Sequence, residues 1–344
     1  MKLRTLLSLL FGTRGRAILR VARHLPPFYR ACYVASLAEN GMLGVLASAP
    51  VSFEELAGRF CPNNDQGERD ALDAWLSLGI SLKELKRTVR GYSLRGCLSR
   101  QLSRPENDAA LALLQSMVRH HHRFLTESLT RLRSGTRFTL ADLDGPLVAR
   151  AARALEPLVL DVLNPEVPQQ GPFNLLDVGC GSAGYLRHAT VRNHELTALG
   201  LELQPELVEG ARRNLAAWNL TDRVRVEAGD IRERVPEPAY DLVTLHNNVY
   251  YFPVDARVSL LRHLRAFLKP RGRILITTHC AGTSSGACIG LFAALTEGCG
   301  RLPHREEMIA QLHDAGYDNV KAQQLIPCDP FVAFTATNPL ASVR

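Results

Sequence analysis

Three glycines, three carboxylates and two histidines carry most of the chemistry that this sequence can perform. The string LLDVGCGSAGYL sets Gly179, Gly181 and Gly184 as G-x-G-x-x-G directly after an apolar strand and at the start of a helix. Such a loop lets backbone approach a nucleotide-containing ligand closely, and Glu202, at the end of the next strand, is placed to hold a ribose. These features fit a dinucleotide as well as other nucleoside cofactors, so the glycines alone do not choose between them. Asp177, on the strand just before the first glycine, suits a ligand with an ammonium and a sulfonium better than a pyrophosphate. Asp230, in EAGDI just past the third strand, can accept from an adenine amino group. His246 and His279 end the fourth and fifth strands, where the ligand crevice of an open α/β sheet lies. Each can serve as a base or an orienter, or can simply be hydrogen-bonded to backbone.

The elements that must position these residues follow from periodicity. From Asn174 onward the apolar runs NLLDV, LTALGLEL, VRVEAG, YDLVTLH, RILITTH, NVKAQQLI and FVAFTAT read as strands. Helical patterns at 184–191, 205–218, 255–268, 286–297 and 305–315 fall between them. The spacing predicts an α/β, doubly wound sheet, and the last two strands, separated only by IPCDP, predict an antiparallel hairpin at its end. The first part of the chain is mostly helical. In VSFEELAGRF, Ser52 and Glu55 form a capping-box signature, and Phe53, Leu56 and Phe60 are spaced for one apolar face. A polar loop, a second helix in DALDAWLSLGI and strand, turn at Gly91 and strand in LKRTVRGYSL complete a winged-helix-like pattern. A single long helix over 107–132 is expected to carry Leu111, Leu114, Val118, Leu125 and Leu129 on one side. We expect a helical domain over 1–160 and an α/β domain over 161–344.

With 344 residues, 46% of them hydrophobic and 22% charged, the chain reads as globular and not disordered. Its eight cysteines are scattered, with no paired spacing for zinc, and are expected as free thiols in a reducing cytoplasm. His120, His121 and His122 point in three directions on a helix and cannot all ligate one metal; no spacing demands a centre built from the other histidines, so no metal is expected. The net charge of +7 is concentrated in residues 1–150, which hold 22 of the 41 Lys and Arg against 13 of the 34 Asp and Glu. Such a bias can attract nucleic acid, an anionic membrane or an acidic substrate, or can be a solvated surface. Lys2 and Arg4 precede an apolar run from Leu6 to Phe11 that is too short to span a bilayer and is followed by Arg14 and Arg16. A basic amphipathic helix here would lie on a membrane, or would dock on its own domain or on a partner subunit.

Taken together, DVGCGSAG, LELQP, EAGDI and DLVTLHNN stand in the order and spacing of the Rossmann-like, class I S-adenosylmethionine-dependent methyltransferases, and the C-terminal half resembles that family. The resemblance implies S-adenosyl-L-methionine as cofactor. It implies that the loop of Gly179, Cys180 and Gly181 runs beneath its methionine part, that Glu202 with Leu203 holds the ribose side, and that Asp230 and Ile231 bracket the adenine. Leu245, His246 and Asn247 would border the methyl group. The N-terminal half is weakly similar to the winged-helix dimerisation domain of small-molecule O-methyltransferases, which implies a homodimer and a domain that caps the substrate pocket.

One departure from the family is plain. Many such O-methyltransferases carry a histidine just past the fourth strand as general base, whereas NNVYYFP puts Tyr250 there. A tyrosine of ordinary pKa near 10 is a poor base at neutral pH but can orient a substrate. His246, Tyr250 and His279 are therefore the catalytic candidates, and Asn247, Tyr250 and Tyr251 the substrate lining. The expected reaction is methyl transfer to a small, biosynthetic acceptor at O, N or C. The rivals are a DNA-binding regulator that senses the cofactor and a nucleotide-dependent oxidoreductase, the latter disfavoured by Asp177, Asp230 and the terminal hairpin.

Overall fold

Alternation of side chains along each strand gives the sheet of the second half two apolar faces, and both are covered. On β3 (Phe173–Val178), Leu176 and Val178 enter one core while Phe173 and Leu175 enter the other. On β6 (Tyr240–His246), Val243 and Leu245 belong to the first and Leu242 to the second. The computed structural model describes residues 12–282, 284–327 and 329–340, and of Ser284 and Ser285 only the backbone. The apolar run at 6–11 and Cys328 lie outside the described residues. The chain divides into two compact units, Met1–Val118 and Arg119–Arg344.

In the first unit, α1 (Thr13–Ala22), α2 (Leu25–Glu39) and α3 (Met42–Ser48) precede α4 (Phe53–Phe60) and α5 (Gln66–Ser81), and α6 (Cys97–Leu102) follows further along the chain. The capping box is present: Glu55 N–H donates to Ser52 Oγ at 3.2 Å and Ser52 N–H to a Glu55 carboxylate oxygen at 3.1 Å. Asp65 caps α5 with its side chain alone, accepting from Glu68 N–H at 2.9 Å. Leu56 is fully buried, but Phe60 is 37% exposed, because it is the last residue of its helix, beyond the reach of the core that the spacing assigned to it. The hairpin of β1 (Leu85–Thr88) and β2 (Gly91–Leu94) forms as predicted, and Tyr92 also exchanges two backbone hydrogen bonds with Val51, at 2.8 and 2.9 Å. The helix–turn–helix and hairpin expected from the sequence are thus all present. Ile18, Leu19 and Val21 of α1 and Phe28 and Tyr29 of α2 are exposed.

The long helix expected over 107–132 is not continuous. It is α7 (Asp108–Ser116), a π turn at Met117–His121, and α8 (His122–Ser134), and the division between the units falls within that turn, well before residue 160. The extra residue of a π turn breaks the 3.6-residue period on which the single apolar face rested. Leu111 and Leu114 pack against the first unit's core, whereas Leu125 and Leu129 are 63% and 76% exposed.

The second unit continues with α9 (Gly145–Ala152) and α10 (Glu156–Leu163) before the sheet begins. Its seven strands run in the order β5, β4, β3, β6, β7, β9, β8, where β4 is Leu196–Glu202, β5 Val224–Ala228, β7 Leu268–His279, β8 Asp318–Ile326 and β9 Asp329–Thr337. All pairings from β5 to β7 are parallel, and β9 runs antiparallel to both β7 and β8, the terminal hairpin that the sequence predicts. The helices α11 (Gly184–Arg192), α12 (Pro205–Ala217), α13 (Arg257–Arg265), α14 (Ser284–Leu295) and α15 (Arg305–Asp314) fill the connections. Strand order reverses between β3 and β6, and such a reversal opens a crevice at the carboxyl ends of the strands. Among the described residues no helix is long and apolar enough to cross a membrane.

Gly91 offers a direct check on the hairpin. Its φ of +115° is a glycine conformation, and a Cβ there would collide with the Val51 carbonyl. Gly91→Ala is expected to lower unfolding free energy by at least about 2 kcal/mol in urea titration, with no change in the fold of the Arg119–Arg344 unit by circular dichroism.

Candidate functional site

The crevice is a cavity of about 340 Å³ within the second unit. Its floor is the glycine loop. Gly179 and Gly181 hold φ of +72° and +52°, and a Cβ on Gly179 would lie 2.6 Å from the Asn248 amide nitrogen. The N–H groups of Gly179 and Cys180 both donate to the Leu201 carbonyl, at 2.8 and 3.0 Å, so the loop is stitched to the end of β4. Ala183 takes a left-handed φ of +65° as it enters α11.

Glu202 ends β4 with its carboxylate buried and fixed. Gly181 N–H donates to one oxygen at 3.0 Å and Gln204 N–H to the other at 3.1 Å. Leu203 follows it on the cavity wall, 53% exposed. Asp230 accepts from the backbone N–H of Arg232 at 2.9 Å and from its guanidinium, and that side-chain hydrogen bond holds the Asp230 carboxyl below the usual range. Ile231 is buried beside it, and both line the cavity. Cys180 is also on the wall, its thiol pushed up by burial.

Three expected residues stand elsewhere. Asp177 is 1% exposed and lies behind the wall: Thr244 Oγ1 donates to its Oδ1 at 2.7 Å, and its Oδ2 has no partner. Burial pushes its carboxyl up to about 7 against the Thr244 hydrogen bond, with the Glu202 charge adding to the rise. Leu245 is fully buried in the apolar core and does not line the cavity, because alternation along β6 turns it away from His246. His279, at the end of β7, packs against Phe331 of β9 with ring centroids 4.9 Å apart and is absent from the cavity wall.

His246 is on the wall. Its Nδ1 is hydrogen-bonded to Thr277 Oγ1 at 2.9 Å, its ring lies 4.5 Å from that of Tyr185, and its Nε2 has no partner. Burial pushes its pKa down to about 3, so the ring is neutral across the physiological range. Asn247, at φ +56°, and Asn248, which donates to the Val178 carbonyl, follow it on the wall. Tyr250 and Tyr251 pack with centroids 4.9 Å apart; burial raises Tyr250 well above the usual phenol value and Tyr251 to about 12. Burial thus leaves His246 a weak base and keeps both phenols protonated at neutral pH.

Sequence reasoning missed the opposite wall. Gly145, Val148, Ala149 and Ala152 of α9, then Arg153 and Glu156, face the cavity together with Tyr185 and Cys299. Their helical spacing is visible in the sequence, but it fell in the stretch assigned to the first domain. Behind this wall His120 Nε2 accepts from the N–H of Asp144, whose carboxylate caps α9 by accepting from Leu147 N–H at 3.0 Å. Among the described residues no group of three or more His, Cys, Asp or Glu is arranged to hold a metal ion.

Residues 176–274 match the family model described as a methyltransferase domain. Ajmaline N-methyltransferase of Rauvolfia serpentina is 35% identical over 80 residues, 23% of this chain and 27% of its own. The aclacinomycin 10-hydroxylase RdmB of Streptomyces purpurascens is 28% identical over 179 residues, 49% of this chain and 47% of its own. The chain thus spans about a quarter of the first and about half of the second, and their names show that the reaction must be argued from the site. The structure of the mitomycin 7-O-methyltransferase MmcR superposes with a TM-score of 0.74 over 95% of this chain and 99% of that one, at 18% identity, a likeness of fold. From β3 into β7 the chain thus matches a methyltransferase domain model, on a fold shared with solved methyltransferase structures.

Proposed function

We propose that the chain is an S-adenosyl-L-methionine-dependent methyltransferase acting on a small-molecule acceptor. The observation that carries this reading is the pinned carboxylate of Glu202. Each of its oxygens accepts one backbone N–H, which leaves each with a further lone pair on the cavity side for a ribose hydroxyl. The remaining parts of the cofactor find matching groups. Asp230, held ionised by Arg232, suits the adenine amino group; Ile231 and Leu203 give the ring apolar flanks; the bare loop at Gly179 and Gly181 admits the methionine part.

When bound, S-adenosyl-L-methionine supplies a methyl group on a positively charged sulfur, already activated for displacement. The protein's share is then to align the acceptor and to exclude water. His246, fixed by Thr277 and Tyr185 and neutral, offers a hydrogen-bonding edge, and Tyr250 and Tyr251 offer phenols that stay protonated. These groups orient more than they deprotonate. That suits an oxygen, nitrogen or carbon acceptor whose lone pair or acidic proton needs little help. The relatives named above act, by their names, on small molecules. In this reading the enzyme works in a reducing cytoplasm as a homodimer, paired through the Met1–Val118 unit with its exposed Ile18, Leu19, Val21, Phe28 and Tyr29.

The test of the reading is transfer of an isotopically labelled methyl group from S-adenosyl-L-methionine into a metabolite extract, followed by mass spectrometry. A labelled small molecule is expected; cofactor binding without any label would move the reading to a sensor. Glu202→Ala is expected to weaken S-adenosyl-L-homocysteine binding by at least about tenfold in calorimetry, the scale of one charge-assisted hydrogen bond. His246→Ala is expected to lower kcat by about tenfold or more while the same affinity stays within about twofold, the mark of a group felt at the reacting end alone.

Asp177 makes a pH signature. Its folded pKa of about 7 lies above the ordinary 3.8, so the folded chain prefers the protonated acid. The stability this confers is complete below about pH 4 and is lost as pH rises through about 7, on the order of 4 kcal/mol in all. Asp177→Asn should abolish that slope in melting temperature measured from pH 4 to 8 without ligand; an unchanged slope would assign it to other groups.

A further inference from the structure

A bound amino-acid zwitterion needs an anion for its ammonium group, and the carboxylate expected for it, Asp177, is sealed behind the cavity wall on Thr244. Four other carboxylates line the cavity: Glu156, Glu202, Asp230 and Glu297. Glu202 is pinned at the end of β4 and Asp230 is bound to Arg232, which commits both to the nucleoside end. Glu297 stands exposed on the loop after α14. Glu156 is different. It closes the stripe of Val148, Ala149, Ala152 and Arg153, and its Oε1 lies 3.5 Å from the place a Cβ would take on Gly184, the last glycine of the loop. Its charge is felt at Tyr185 and His188, on the first turns of α11. Arg153, three residues earlier, puts a cation on the same wall, so the stripe offers both signs that a zwitterion requires.

We propose that Glu156 holds the ammonium group of the bound cofactor against the glycine loop, a role that rests on the methyltransferase reading above. The acid that the strand motif points to is then a buried structural partner of Thr244, and the ligand's contact comes from the helices that precede the sheet. A carboxylate in this place could instead serve only to offset the dipole of α11. The two roles differ in what they do to ligands with and without an amino group.

The experiment is calorimetric titration of the full chain with S-adenosyl-L-homocysteine and with its des-amino analogue, in which hydrogen replaces the ammonium group. Glu156→Gln is expected to weaken the amino ligand by about tenfold or more and to leave the des-amino ligand within about twofold, erasing the wild-type preference between them. Asp177→Asn is expected to keep that preference. Equal loss for both ligands in Glu156→Gln, no loss for either, or a preference erased by Asp177→Asn would overturn the proposal. Failure of the wild-type chain to bind either ligand would remove the methyltransferase reading itself, a result distinguishable from all of these.

Discussion

Two carbonyl–amide contacts and one carboxylate hold the centre of this protein together. The amides of Gly179 and Cys180 share the Leu201 carbonyl, and Glu202, one residue on, reaches back to the amide of Gly181. The loop after β3 is thereby fixed to the end of β4, and a turn that needs two left-handed glycines is held in one shape. Everything else at the crevice takes its place from that junction. Asn248 approaches only because Gly179 has no side chain, and α11 starts where it does because the loop delivers Gly184 there.

The strands and the terminal hairpin were legible in the sequence because burial on both faces leaves short, near-continuous apolar runs. Runs such as LLDV and LVTLH have no other stable home. That the glycine loop, Glu202 and Asp230 share one cavity wall was legible for a related reason: each follows or ends a strand on the side where the crevice opens. Less legible were residues whose roles depend on which way a strand faces. Leu245 and His246 are adjacent, and one turns into the core while the other turns to the cavity. Asp177 carries the motif yet meets Thr244, on the neighbouring strand, which no local pattern reveals. His279 lies one strand further along, beside the antiparallel β9.

The wall formed by α9 and the start of α10 was hidden for a different reason. Its spacing is helical, but nothing in a helical stripe says whether it faces a core, a partner or a ligand. Only the tertiary fold brings Ala149 and Glu156 opposite the glycine loop. Its neighbour, the run His120 to His122, points in three directions on a helix and so offers no metal site by spacing. The structure gives one of the three a specific duty, since the His120 ring accepts the amide of Asp144 and so anchors the residue that caps α9.

That anchoring depends on the π turn at Met117–His121, and the turn is a matter of counting and not of residue type. A π turn holds one residue more than the α turn it replaces, and each residue of a helix advances the side chains by about 100°. Loss of a single residue from this turn would let the helix run on regularly while swinging His120 away from Asp144. The α9 wall of the cavity is thus sensitive to insertions and deletions in a turn that does not itself line it. In a lineage of such chains, the length of this turn and the identity of His120 would have to be held constant together.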